Sequence, residues 1–393
     1  MKKTLRQIFA AAALSFSAFH TAGYAQTSHE PVDIPTPRDI TITEIEQNTG
    51  RDFPEFEYFL YPEFNSHAIT ENHAAHDLIN DLSTCQISEA QHHLITLGFD
   101  LGPSGADGVA GRLTYEAIRM YQFYWGDLHG LEQTGVLDQA TLTDLEKTAK
   151  DIKVLAKHYR APAKAIAAIA FAHEKLNSDF GYQMELAYVE SSFRSHAKAR
   201  RSSAYGLYQY TTDTWLLGLS QFGHKYDLGF YSDQIKFREQ KIPDSDKTKL
   251  KPYVSNPIAF QNIMNLRKDP YLSALITVEF SQTHDKATAS WGVYQEGNHR
   301  ADKYLVHFFG MKDSLLFAHE LKQRPTRKAA DVFPKLAEAN PRIFYHKRKA
   351  RSFSEIYDHL QSKFNRDRFE PANDDKTLAQ KAKSIKEFGC RKR

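Results

Sequence analysis

Glu190-Ser191-Ser192-Phe193, followed by Ser203-Ala204-Tyr205-Gly206-Leu207-Tyr208-Gln209-Tyr210, is the part of this 393-residue chain that decides the fold. Apolar residues ahead of Glu190 recur at helical spacing, which predicts an amphipathic helix over residues 182–193 that begins after a break at Gly181. Glu190 falls at the margin of the buried face, from which a carboxyl group can point into a cleft. The second segment is poor helix material, rich in small residues, and predicts a loop that closes on this helix.

The chemistry of the segment depends on the protonation state of Glu190. Burial among aromatic residues disfavours a carboxylate, and a position near a helix C-terminus places it in an unfavourable dipole field. Both effects raise the pKa, and a carboxyl that stays protonated near neutral pH is what a general acid requires. A lone helix glutamate is usually solvated surface, so the neighbouring loop is what makes Glu190 a candidate.

This segment resembles the soluble lytic transglycosylases, whose pattern runs Glu-Ser-x-Phe and then (Gly/Ser)-Ala-x-Gly-Leu-(Met/Tyr/Phe)-Gln. The resemblance implies that Glu190 is the catalytic acid and that the loop lines a sugar cleft. Tyr208 replaces the commoner methionine and is expected to pack on a sugar face. The implied substrate-binding residues are Ser191, Ser203, Gly206, Tyr208, Gln209 and Tyr210.

A third family element, Tyr-Asn-x-Gly, has its nearest match at Tyr294-Gln295-Glu296-Gly297, with glutamine in place of asparagine. Residues 302–310 resemble a Tyr-Leu-x-His-Phe-x-Gly stretch found in a subset of the family. This implies that Tyr304 is a substrate-binding residue that hydrogen-bonds near the acid, with Tyr294 as a second candidate. His307 lies among apolar residues, a setting more typical of a core histidine than of a catalytic base.

The implied reaction needs one carboxyl group, no metal and no cofactor. Ordinary glycosidases use two carboxyl groups, and the motif contains only Glu190. The family cleaves peptidoglycan between N-acetylmuramic acid and N-acetylglucosamine and closes a 1,6-anhydro ring without water. Two alternatives stay open: a goose-lysozyme-like muramidase, which would need an acid to hold water, and a non-catalytic wall-binding scaffold. No metal-type spacing of histidines or cysteines accompanies the motif.

Residues 83–150 form a second unit. Gly98, Gly108 and Gly111 are suited to turns, and Thr114 opens a helix with a buried stripe, which predicts a three-helix bundle. The Asp107-Gly108-Val109-Ala110-Gly111-Arg112-Leu113-Thr114 core resembles the common peptidoglycan-binding module. Peptidoglycan is therefore the expected partner, although such a module can also serve only as a spacer.

The N-terminus predicts export. Residues 1–25 combine a basic start, a short apolar run and a small-residue cleavage site, as in a signal peptide, and no cysteine follows for a lipid anchor. The expected location is the periplasm, without a membrane anchor. The formal net charge of +3 equals the charge of Lys2, Lys3 and Arg6, so the mature chain is formally neutral. Neutrality removes the main electrostatic reason to expect a nucleic-acid partner.

Composition completes the predicted domain order. Residues 26–82, with twelve acids against two bases, form an acidic linker or arm. Residues 151–367 form an all-α, lysozyme-like catalytic domain, and residues 368–393 a basic charged tail. Cys85 and Cys390 are the only cysteines, and they could form a disulfide or remain two thiols.

Overall fold

The computed structural model describes residues 82–200, 202–241, 248–291, 299–364 and 369, all within one compact unit. These residues are predominantly helical, which confirms the predicted all-α class. Two short antiparallel ribbons, which the sequence analysis did not predict, are the only sheets in this part of the chain. None of the helices described is both long enough and apolar enough to cross a membrane.

The predicted three-helix bundle is present as α1 (Thr84–Leu97), α2 (Arg112–His129) and α3 (Gln139–Tyr159). Ser83 begins α1 with a reciprocal capping box to Gln86, and Gly98 ends it in the left-handed conformation. Asp138 caps α3 by accepting a hydrogen bond from the Thr141 amide. The predicted domain boundary at residue 150 falls inside α3, which continues without a break to Tyr159.

The Asp-Gly-Val stretch is folded around a buried glutamine. The Gln91 Nε2 group donates to the Val109 carbonyl at 3.0 Å and to the Thr114 hydroxyl at 3.0 Å. The Gln91 Oε1 atom accepts from the Gly108 amide at 2.7 Å. Gly108 has a positive φ of 78°, and a Cβ there would lie 2.7 Å from the Thr84 carbonyl oxygen. The motif therefore shapes the loop that joins α1 to α2.

The loop between α2 and α3 repeats this arrangement. Gln122 donates to the Val136 carbonyl and to the Thr141 hydroxyl, at 3.1 Å each, and accepts from the Gly135 amide at 2.7 Å. Gly135 also has a positive φ, of 75°. The bundle is thus built from two local units of the same kind, each stabilised by one buried amide side chain.

The bundle packs directly on the rest of the fold through aromatic residues. Tyr124 of α2 stacks on Tyr271 at 4.5 Å between ring centroids. The Tyr271 hydroxyl donates to the Leu97 carbonyl at 2.8 Å and accepts from the Trp125 indole at 3.3 Å. Because these groups are buried and hydrogen-bonded, the three-helix bundle is fixed to the helices that follow it.

Two buried helices form the centre of the remaining fold. They are α4 (Ala163–Leu176) and α9 (Pro270–Trp291). Residues 165–172 of α4 and residues 271–280 of α9 are buried on every side. A helix that is buried on every side belongs in the interior, and the small alanines of α4 allow close packing against its neighbours. The bundle and the candidate site are arranged around this pair.

The helix that carries Glu190 is α5 (Phe180–Ser191), which corrects the predicted bounds of 182–193. Asp179 caps its start, so Gly181 lies inside the first turn and is not a break. A Cβ at Gly181 would lie 2.5 Å from the Arg300 guanidinium, which explains the glycine by close packing. At the other end Ser192 and Phe193 have positive φ values of 52° and 63°, so the helix stops before Phe193.

The remaining elements complete the fold. In chain order they are α6 (Thr212–Phe222), α7 (Gly229–Ser232), β1 (Lys236–Lys241), β2 (Thr248–Tyr253), α8 (Pro257–Asn265), α10 (His299–Gln323), α11 (Ala329–Val332), α12 (Pro334–Ala339), α13 (Pro341–Phe344), β3 (Tyr345–His346), β4 (Lys349–Ala350) and α14 (Phe353–Phe364). Pro334 and Pro341 each begin a short helix, a position that tolerates proline. Gly310 interrupts α10 with non-helical dihedral angles.

Several predictions concern parts of the chain outside the described residues. They are the signal peptide and acidic arm, the Tyr294–Gly297 element, the basic tail, and the Cys85–Cys390 disulfide, since Cys390 belongs to that tail. These remain predictions.

Candidate active site

Glu190 lies in the last turn of α5 with only 17% of its side chain exposed. Burial raises the pKa of its carboxyl group to about 7, whereas a hydrogen bond from Tyr304 and the charge of Lys363 act in the opposite direction. Burial is therefore the dominant cause; it is one of the two effects predicted from the sequence. A carboxyl group with a pKa near 7 can both give and take a proton at neutral pH.

Tyr304 of α10 is brought to Glu190, as the sequence analysis expected. Its hydroxyl forms a side-chain hydrogen bond with the Glu190 carboxyl group, and its ring is 3% exposed. Phe364 of α14 packs on the same ring, with 4.6 Å between centroids. Because Tyr304 is enclosed by packing, its hydroxyl has little freedom to turn away from Glu190.

His307 also lies beside Glu190, with its Nε2 atom 3.7 Å from the carboxyl Oε1. This distance is too long for a hydrogen bond. Burial lowers the pKa of His307 to about 4, so the ring is neutral at pH 7 and the contact is not an ion pair. The histidine is partly buried, with 19% of its side chain exposed, and it forms part of the wall around the acid. Its position three residues after Tyr304, on the same helix face, was the available signal.

The loop after α5 is shaped by main-chain contacts of Ser203 and Gly206. Gly206 has a φ of 87°, and a Cβ there would lie 2.7 Å from the Arg267 carbonyl oxygen. The Arg267 guanidinium donates to the Ser203 carbonyl at 2.8 Å and to the Tyr210 carbonyl at 3.2 Å. The Ser203 hydroxyl accepts from the Thr212 amide at 3.1 Å. The hydrogen bonds of Ser203 and the close approach of Gly206 to Arg267 thus stabilise the conformation of the loop.

Gln209 and Ser191 bond mainly to nearby backbone. Gln209 has a positive φ of 53°, and its Nε2 group donates to the carbonyls of Ala197 and Gly206 at 2.9 Å each. The Ser191 hydroxyl donates to the Ala187 carbonyl at 3.1 Å and accepts from the Arg194 amide at 3.1 Å. Each side chain therefore stabilises the turn on which the site is built.

Tyr208 and Tyr210 are buried beneath the loop. The Tyr210 hydroxyl is hydrogen-bonded to the Thr277 hydroxyl at 2.8 Å, and its ring lies 6.0 Å from the His307 ring. Tyr208 is fully buried, and its hydroxyl has no hydrogen-bond partner among the described residues. In this conformation the Tyr208 ring does not present an open face of the kind expected for packing on a sugar.

Arg300 is a residue that the sequence analysis missed. It begins α10 and donates to both carboxylate oxygens of Asp179, at 2.9 and 3.0 Å. Its third contact is with Glu185 at 3.4 Å, and the Glu185 side chain is 3% exposed. The guanidinium thereby joins the start of α5, which carries Glu190, to the start of α10, which carries Tyr304. No short motif surrounds Arg300, so only the tertiary structure identifies it.

Lys363 is a second residue of the site that lies in no recognisable sequence motif. It lies in the last turn of α14, next to Phe364. Partial burial lowers the pKa of Lys363, and the charge of Glu190 opposes that shift. The site therefore contains one acid, one hydrogen-bonding tyrosine, one neutral histidine and one cation.

Comparison with known proteins identifies the three-helix bundle. Residues 85–145 match the family model of the peptidoglycan binding domain. The chain carries a peptidoglycan-binding module. The match begins in the first turn of α1 and ends within α3, and it includes both buried glutamines described above. The match supports the predicted peptidoglycan-binding module over residues 85–145, and peptidoglycan is the ligand class that this module indicates.

Proposed function

We propose that this protein is a peptidoglycan lytic transglycosylase in which Glu190 acts first as general acid and then as general base. The observation that carries the proposal is the environment of Glu190. Its carboxyl group is buried, hydrogen-bonded by Tyr304 and has a pKa of about 7. The attached peptidoglycan-binding module supports the choice of substrate.

The proposed reaction requires only one carboxyl group, which gives a proton in the first step and takes one back in the second. Glu190 gives its proton to the oxygen that joins N-acetylmuramic acid to N-acetylglucosamine, and the bond from that oxygen to C1 breaks. The carbonyl oxygen of the 2-acetamido group bonds to C1 and stabilises the positive charge. The Glu190 carboxylate then removes the proton of the C6 hydroxyl. The C6 oxygen bonds to C1, the acetamido group is released, and Glu190 is protonated again.

The surroundings of Glu190 favour this reaction over hydrolysis. A water-using muramidase needs a second acid near the bond that is cleaved. Within the described ranges, no other carboxylate contributes to the raised pKa of Glu190. The acidic side chains of the neighbouring helices have other partners: Glu185 pairs with Arg300, Asp285 with Lys303 at 2.9 Å, and Asp302 accepts from Tyr357 at 2.8 Å.

The predicted signal peptide extends the proposal to location. Export would place the enzyme in the periplasm, where its substrate lies. The module would hold the enzyme on the wall, and its fixed contact with α9 would keep the catalytic helices at a constant distance from the bound strand. A purely scaffolding role is less favoured, because it gives no reason to bury a carboxyl group beside Tyr304 and His307.

Mass spectrometry of soluble products tests the activity. Purified peptidoglycan is incubated with the mature protein, with Glu190→Gln and with Asp285→Asn as a matched carboxylate control. We expect anhydromuropeptides, about 18 mass units lighter than hydrolysed products because no water is added, from the wild type and the control only. Hydrated reducing ends would identify a muramidase. Retained wall binding without any products would identify a scaffold.

A further inference from the structure

A cluster of cationic and imidazole side chains includes Lys363, whose charge acts on Glu190. Lys363 and His359 are four residues apart on one face of α14, and Arg351 precedes that helix. The charge of Arg351 affects both of them, which places the three side chains within electrostatic range of one another. All three residues are partly exposed. This group, called here the α14 cluster, consists of Arg351, His359 and Lys363.

No member of the α14 cluster forms an ion pair with an acidic side chain among the described residues, and the acid whose charge acts on Lys363 is Glu190 itself. Other cations of this region do form ion pairs: Lys303 with Asp285 at 2.9 Å, and Lys328 with Glu355 at 3.6 Å. Arg351 instead donates to the carbonyls of Arg342 and Ile343, at 2.8 Å each, which fixes its guanidinium in place. The like charges of Arg351 and Lys363 repel each other, so binding of an anionic ligand would reduce this repulsion.

Packing places this cluster at the candidate site. Phe364 follows Lys363 directly, and its ring lies 4.6 Å from Tyr304, which hydrogen-bonds Glu190. The Phe364 ring also lies 6.1 Å from Tyr182 of α5. The last turn of α14 therefore contacts both helices that supply the site. A substrate held at Glu190 would have Lys363 at its side.

The anionic groups of peptidoglycan are in its peptide stems. The N-acetylated sugars of the glycan strand carry no charge, and the lactyl group of a substituted muramic acid is an amide. The stem peptides carry free carboxylates. As long as the strand keeps its stems, the stem carboxylates are therefore the anionic groups that a lysine beside the reacting muramic acid can bind.

We propose that Lys363, supported by Arg351, binds a carboxylate of the peptide stem on the muramic acid that reacts at Glu190. This inference rests on the proposed function and names the part of the substrate that the enzyme selects. Stem-bearing strands would be bound in the orientation that places the glycosidic oxygen at Glu190. Strands stripped by an amidase keep a carboxylate only on the lactyl group, next to the sugar ring, and would lack the contact with the stem.

Two glycan substrates test the proposal: strands with their peptide stems, and the same strands stripped by an amidase. The readout is the ratio of kcat/KM for the two, measured as anhydro ends released. We expect the wild type to prefer stem-bearing strands, Lys363→Gln to reduce that ratio about tenfold, and Lys363→Arg to retain most of it. Lys322→Gln, an exposed charge in the last turn of α10, is the control and should leave the ratio unchanged.

A binding measurement separates this proposal from the proposed function. The affinity of Glu190→Gln for both substrates is measured with and without Lys363→Gln, which requires no catalysis. Loss of the stem preference in the double variant supports the subsite even if the wild type releases no anhydro ends, a result that would overturn only the lyase assignment. Equal affinity of Glu190→Gln for both substrates would overturn the subsite. An equal effect of Lys363→Gln on the kcat/KM of both substrates would also overturn the subsite, because it would mean that Lys363 changes only the pKa of Glu190.

Discussion

The Tyr304 hydroxyl is hydrogen-bonded to the Glu190 carboxyl group, across the contact between α10 and α5. Both side chains are largely buried, so the hydrogen bond is shielded from water and is stronger than it would be at the surface. It favours the carboxylate form, in opposition to burial. The pKa of the Glu190 carboxyl group is thus set by two opposing effects, and each effect can be tested by a separate substitution.

Tyr304→Phe removes the hydrogen bond and keeps most of the ring packing. Since that bond lowers the pKa of Glu190, we expect the pKa to rise above about 7 and the alkaline fall in kcat/KM to shift to higher pH. At neutral pH the rate should fall about tenfold through loss of positioning. The pH profile is the measurement, with the exposed Tyr345→Phe as control. An unshifted profile would contradict the role given to Tyr304.

Glu190→Gln should affect stability in a pH-dependent way. The folded-state pKa of about 7 exceeds the ordinary value of 4.5, so wild-type stability is highest below pH 4.5 and declines up to about pH 7. The decline corresponds to about 3 kcal/mol. A glutamine cannot ionise, so the variant should gain stability relative to the wild type over this range. Thermal unfolding from pH 4.5 to 7.5 checks this, and a constant difference would argue against the raised pKa.

Arg300→Met should destabilise the fold and misplace Tyr304. Loss of the guanidinium removes the ion pair that Arg300 forms with the buried Glu185, at a cost of about 3–5 kcal/mol. Adding Glu185→Gln should restore part of that loss, because the double variant no longer buries an unpaired charge. Urea unfolding of both single variants and the double variant measures the coupling. Strictly additive effects would contradict the assigned ion pair.

His93 should make the peptidoglycan-binding module sensitive to acid. The side chain is 6% exposed, and neither ring nitrogen has a hydrogen-bond partner in the described structure. Burial lowers its pKa from 6.5 to about 4, so its contribution to stability is present above pH 6.5 and is lost as the pH falls toward 4. The difference in the free energy of unfolding between His93→Met and the wild type is therefore expected to change in favour of the variant by about 2 kcal/mol from pH 7 to pH 5. Equal differences at both pH values would count against this account.

The sequence was most informative where local patterns determine structure. The three-helix bundle follows from glycines and a helix-starting threonine at fixed spacing. Predictions were weaker at Gly181, where glycine is explained by the approach of Arg300 and not by a helix break. Close packing between distant segments leaves no local signature, so the bounds of α5 required the structure.

The candidate site also contains residues that a local motif predicts and residues that only the tertiary structure identifies. Glu190 and Tyr304 could be predicted, because each lies in a recognisable motif. Arg300 and Lys363 could not, because they reach the site only when α10 and α14 pack against α5. The burial of Tyr208 also depends on tertiary structure, since the loop sequence does not show which of its aromatic residues face inward.

The central claim is that the C6 hydroxyl, and not water, attacks C1 after Glu190 has protonated the leaving oxygen. Digestion of peptidoglycan in water enriched in oxygen-18, followed by mass spectrometry of the released muropeptides, tests it directly. The account predicts anhydro ends without the heavy isotope from the wild type, and no release by Glu190→Gln. Reducing ends about 2 mass units heavier, formed by uptake of one solvent oxygen at C1, would show a water-using muramidase and contradict it.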